Sequence, residues 1–113
     1  MMKPWQRAKK WHMENGGDIA FEELLGMFMR DGYVWSSPDE FILAKKIRVE
    51  DQRVVDGPVN TWFVWLGAGK KPFSRFLELA PEKLPFVMWQ RRGQKKPRIY
   101  EWDKFERKTN YGK

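Results

Sequence analysis

The stretch Thr61 to Leu66, TWFVWL, limits the folding choices of this chain more than any other. Side chains alternate across a strand, and here both alternating sets are apolar: Phe63 and Trp65 against Trp62, Val64 and Leu66. Such a strand lies centrally in a sheet and is covered on both sides. It cannot be an edge. The 113 residues predict one domain, just large enough for a single core.

The flanking segments supply the cover. Pro4 to Asn15 reads as a short helix with proline in its first turn. Trp5, Ala8 and His12 share one face of it, and Arg7, Lys9 and Lys10 form a basic one. Asn15-Gly16-Gly17 ends that helix, and Asp18 is placed to cap a second. In the second, Phe21, Leu24, Leu25 and Phe28 follow the i, i+3, i+4, i+7 pattern, and Gly32 closes it. From Tyr33 the period becomes two. Tyr33 to Ser36 reads as a strand, Ser37-Pro38-Asp39-Glu40 as a turn, and Phe41 to Val49 as the next strand. In the latter, Phe41, Leu43, Ile47 and Val49 share a face opposite Lys46 and Arg48. Glu50 to Asn60 is polar and reads as a loop.

After the central strand, Gly67-Ala68-Gly69 reads as a turn, followed by Lys70-Lys71-Pro72 and an amphipathic helix. Phe73, Phe76, Leu77 and Ala80 form its apolar face, and Pro81 stops it. Phe86 to Gln90 is an apolar strand and Arg98 to Trp102 a final one, with a polar, frayed tail from Lys104. The strand–helix–strand unit from Thr61 to Gln90 predicts a right-handed crossover between two parallel strands. The expected class is a mixed α/β sheet. Its order is two N-terminal helices, a three-strand antiparallel meander, a crossover helix and two further strands.

Composition narrows the chemistry. There is no cysteine and one histidine, His12, so neither a disulfide framework nor a His/Cys metal cluster is expected. No apolar run approaches the length of a membrane helix, and a cytoplasmic location is the expectation. Twenty-two Lys+Arg against 15 Asp+Glu leave a formal net charge of +7, which favours an anionic partner or simply solubility.

Strand, glycine turn and lysine-bearing helix start is an arrangement that offers backbone N–H groups and positive charge to a phosphate. Leu66, Gly67, Ala68, Gly69, Lys70 and Lys71 are therefore the candidate phosphate-binding residues. The structural alternative is a turn that needs glycine for a positive φ, followed by exposed lysines. The element order resembles the GCN5-related N-acetyltransferase (GNAT) fold, with Trp62–Leu66 as its central strand and Gly67-Ala68-Gly69-Lys70-Lys71 as its phosphate loop. The stretches GYVWSSPDEF, WFVWLGAG and LPFVMWQRRG are also similar to small bacterial and phage proteins carrying a truncated version of this fold. Val64 stands where the family's loop usually carries Gln or Arg. The resemblance implies acetyl-CoA as cofactor, held by the loop and crossover helix, and acetyl transfer to an amine, or a derivative that has lost catalysis. A cofactor there requires the two parallel strands to part at Leu66–Gly67.

Two other readings stay open. Arg91, Arg92, Lys95, Lys96 and Arg98 form a basic hairpin flanked by Trp89, Tyr100 and Trp102, a pattern that can track a nucleic-acid backbone and stack a base. Alternatively those aromatics face the core. A homodimer that covers a sheet edge is the third reading. Catalytic signals are thin: Asp39, Glu40, Tyr100 and Glu101 are the acid–base candidates, and Ser36 and Ser37 lie near a turn. No triad or paired carboxylate emerges to name a catalyst.

Overall fold

The computed structural model describes residues 2–15, 18–90 and 96–110. The elements run α1 (Pro4–Asn15), α2 (Phe21–Asp31), β1 (Tyr33–Ser37), β2 (Glu40–Glu50), β3 (Arg53–Val55), β4 (Thr61–Gly69), α3 (Pro72–Leu79), β5 (Phe86–Trp89), β6 (Arg98–Glu101) and α4 (Trp102–Asn110). Five strands lie in the order β1-β2-β4-β5-β6, and β3 folds back on the end of β2. Only β4 and β5 are parallel, joined by the α3 crossover; the other pairs are antiparallel. The fold is thus the expected mixed α/β sheet, with TWFVWL at its centre.

Two cores lie on the two faces of this sheet. On one, Phe41, Leu43 and Leu66 pack against Ala8 of α1 and Phe21, Leu24 and Phe28 of α2. On the other, Ile42, Ala44, Trp62, Val64, Val87 and Trp89 pack against Phe76 of α3 and Trp102 and Phe105 of α4. The first half of β2 is therefore buried on both faces like β4. Its second half keeps the expected alternation, with Lys46 paired to Glu82 and Arg48 to Glu50.

Several local expectations are corrected. Asp18 does not cap α2: the cap position falls two residues later, on Ala20, which makes no side-chain bond. Backbone pairing from Leu24 to Ala20 and first-turn Glu22 and Glu23 support the start instead. The 50–60 loop contains β3, closed by a two-residue turn in which Asp51 and Gln52 have φ of 49° and 67°, the left-handed pair that matches hairpin twist. Gly67-Ala68-Gly69 is not a turn after the strand. β2 reaches far enough back to pair with it, Glu40 against Gly69, Phe41 against Ala68 and Ile42 against Gly67, so β4 runs on to Gly69.

The polar tail is a helix as well. Trp102 begins α4 rather than ending β6, its N–H donating to Pro85 O at 2.8 Å. Charges at four of the first six positions hide two core residues, since Trp102 and Phe105 are three apart and fall on one face. Phe105 is 2% exposed and packs on Phe73, Trp89 and Tyr100. Phe105→Ala is expected to destabilise the fold by about 3–5 kcal/mol, as for a buried ring. Urea unfolding followed by circular dichroism checks it; a change below about 1 kcal/mol would make the tail the frayed end its composition suggests.

Candidate functional site

The opening in the sheet lies beside one inserted residue. Along the β2–β4 ladder, Leu43 opposes Leu66 while Ala44 opposes Val64, so Trp65 is extra. Trp65 and Leu66 consequently both face the α1/α2 side, the signature of a β-bulge. Beyond it the alternation is shifted by one. Asn60 N–H donates to Ile47 O of β2 at 3.0 Å while its carbonyl accepts from Phe86 N–H at 3.1 Å, and by alternation from that carbonyl Trp62 and Val64 turn their backbone groups toward β5. After the shift, Gly67 and Gly69 turn theirs to that same side. β5 no longer follows: its pairing with β4 stops at Val64 opposite Trp89.

The parting of the two parallel strands leaves a cleft of about 720 Å³. Trp65 to Gly69 form its floor, Phe73 and Trp89 stand on one side, and α1 closes the other with Arg7, Lys10, Trp11 and Glu14. Trp65 is held upright by two contacts. Its Nε1–H donates to His12 Nδ1 at 3.1 Å, and its ring meets Trp11 edge-on with centroids 5.3 Å apart. His12 is itself buried and fixed, Nε2–H donating to Ile19 O at 2.6 Å, which is the packed structural role its helix position suggests.

The two glycines are needed for different reasons. A Cβ on Gly67 would lie 2.9 Å from Trp89 Cζ2 and 3.2 Å from Pro72 Cβ, so this glycine lets the indole close over the strand. Gly69 has φ of +134°, and a Cβ there would stand 2.7 Å from Asp39 O. Gly69 is where the chain leaves the strand. Lys71 follows in left-handed conformation, φ 52° and ψ 60°, as N-cap of α3, with Pro72 in the first position. That first turn carries no acidic residue, leaving the positive end of the helix uncompensated.

Charge around the cleft divides into committed and uncommitted groups. Arg75 is committed, with Nε 2.7 Å from Glu40 and NH1 3.2 Å from Glu78, and Glu40 above all raises its already high pKa. Arg7, Lys10, Lys70 and Lys71 form no ion pair among the described residues. Leu66, Gly67, Ala68 and Gly69 line the cleft; Lys70 and Lys71 come next in the chain, are exposed, and do not form part of its lining. Arg7, Lys10, Trp11 and Glu14 were legible as one helical face, at i, i+3, i+4 and i+7, but a charged stripe looks like an ordinary solvated surface.

The acid–base candidates lie elsewhere. Glu40 serves Arg75, Glu101 pairs with Lys104 at 3.4 Å, and Tyr100 packs on Phe105. Asp39 belongs to the β1–β2 turn, where its N–H donates to Ser37 Oγ. Glu14 is the carboxylate that lines the cleft. In the basic hairpin, Arg91, Arg92 and Lys95 lie outside the described residues, while Lys96 and Arg98 are exposed. Trp89 and Trp102 are buried in the core and Tyr100 is half-buried against it, so the strand aromatics follow the core alternative. Among the described residues no group of three His, Asp or Glu is placed to hold a metal, and no helix is long and apolar enough to cross a membrane. No family model, curated protein or solved structure matches the chain.

Proposed function

We propose that this cleft binds a phosphate-bearing acyl carrier of the acetyl-CoA type, in a truncated GNAT-like domain. The observation that carries the reading is the parting of β4 from β5 after Val64, with Gly67 and Gly69 lining the gap. An extended amide-containing chain laid there finds strand edge on one side and aromatic walls on the other. The volume suits it, since pockets for cofactor-sized ligands span about 300–1,000 Å³.

Each group has a task in this reading. Lys70 and Lys71, leading into α3, hold the diphosphate, and Arg7 and Lys10 from α1 supply further positive charge. The N–H of Gly67 is the first donor on the open side of β4, placed to hold an acyl oxygen. The carrier itself would supply an acyl group activated for transfer to an amine. Glu14 is the group on this chain that can take up the amine's proton from within the cleft.

Isothermal titration with acetyl-CoA at moderate salt tests the reading. Lys70 and Lys71 are exposed, so the double variant Lys70→Glu/Lys71→Glu should fold normally. Micromolar binding is expected, weakened about tenfold or more in the variant, as for lost charge-assisted hydrogen bonds. Binding that ignores the charge reversal would remove the phosphate from the explanation. Absence of heat at high protein concentration would remove the cofactor altogether.

A further inference from the structure

A second opening lies on the α1/α2 face and shares Trp65 of β4 with the cleft. It measures about 250 Å³ and is walled by Leu24, Met27 and Phe28 of α2 and Phe63 and Trp65 of β4, with Ile19 at the rim. Ile19 and Met27 remain 43% and 40% exposed, so the apolar lining reaches the surface. Two polar residues contribute to the wall, His12 and Lys45. Both ring nitrogens of His12 are taken, one by Ile19 O and the other by the Trp65 indole. Lys45 is different: its side chain forms no hydrogen bond or ion pair among the described residues.

The position of Lys45 sharpens the point. It is half-buried on β2, opposite Phe63, in the alternating set that otherwise reads Phe41, Leu43 and Ile47. Alternation calls for an apolar residue there, because that face of the sheet packs on α1 and α2. Lys45 brings a positive charge to an otherwise apolar wall, and that charge is complemented by an anion that shares the site. A phosphate-rich ligand would leave charge unmatched against a single ammonium, and a neutral apolar ligand would leave the ammonium alone. One carboxylate on an apolar body matches both.

We propose that this pocket is a binding site for a small hydrophobic carboxylate, with its apolar body between α2 and the sheet and its carboxylate on Lys45 Nζ. The volume restricts the ligand to a fragment-sized acid, below the usual range of about 300–1,000 Å³ for drug-sized ligands. The site does not depend on the acyl-carrier reading.

Octanoate is the probe, titrated calorimetrically and by tryptophan fluorescence, since Trp65 forms part of the wall. Octanol and octylamine are the neutral and cationic comparisons. Octanoate is expected to bind at least about tenfold more tightly than octanol, and octylamine not at all, from the one charge-assisted contact. Lys45→Met should remove that preference and Lys45→Arg should keep it. Met27→Trp, at an exposed rim position that tolerates change, should block octanoate by filling the mouth. Equal binding of octanol and octanoate, octanoate binding unchanged in Lys45→Met, or no saturable octanoate binding overturns the proposal. Octanoate binding that is lost in Lys70→Glu/Lys71→Glu but kept in Lys45→Met would place it in the other cleft, and overturns it equally.

Discussion

Trp62→Ala is expected to cost about 3–5 kcal/mol of stability from the lost ring and the cavity it leaves. Trp62 is fully buried at the centre of β4, with ring centroids 5.4 Å from Tyr33 and 5.6 Å from Phe76. Its Nε1–H also donates to Glu82 O at 2.9 Å, tying the segment between α3 and β5 to the sheet. Removing the indole therefore opens a void and strands a carbonyl together. Whole domains of this size are stable by only about 5–15 kcal/mol, so the variant should sit near its folding threshold. Trp62→Phe separates the two contributions. It keeps much of the packing but loses the donor, and should cost about 1–3 kcal/mol. Urea unfolding of both variants checks this, and near-equal values would mean that the hydrogen bond, not the ring, is what matters.

Gly69→Ala is the second large effect, and it comes from the backbone. At φ of +134° a side chain is strained whatever room it has, and here the new Cβ would lie 2.7 Å from Asp39 O and 3.1 Å from Glu40 Cα. The strain alone is worth about 1–3 kcal/mol. The clash adds to it, because the neighbours are main-chain atoms of the β1–β2 turn and cannot swing away. Lys71 gives the internal comparison. It also has positive φ, but at 52° in the ordinary left-handed well, so Lys71→Gly should be neutral within about 1 kcal/mol or mildly stabilising. Thermal unfolding of the pair decides it. Equal, small effects would mean that the exit from β4 relaxes freely and is not a fixed corner.

These two residues also show what could be read from the chain before its structure. Trp62 announced itself: a strand apolar on both faces has to be central, and β4 is. The parallel crossover to β5 followed from the same run and the helix after it. Gly69 was found but misassigned. A glycine pair after a strand reads as a turn, and only the length of β2, a partner distant in sequence, shows that the ladder continues through it. The core role of α4 was invisible for a related reason. Trp102 and Phe105 are separated by charged residues whose short pattern does not reach the length at which periodicity speaks. Cleft residues on α1 were hidden by context, because nothing local distinguishes Arg7, Lys10 and Glu14 from solvated charge. Their meaning depends on lying across from the open edge of a strand more than fifty positions away.

The bulge at Trp65 has the character of an insertion that the sheet itself does not require. Residues on either side of it keep the faces they would have in an unbroken strand: Val64 and Gly67 toward α3, Leu66 toward α1 and α2. A chain one residue shorter at this point would keep the same alternation and the same two cores. It would lose the indole between His12 and Trp11, and with it the local kink that helps carry β4 away from β5. Folding and opening are in this sense written in separate letters: the residue that lines the mouth is not one that the sheet needs to keep its two faces.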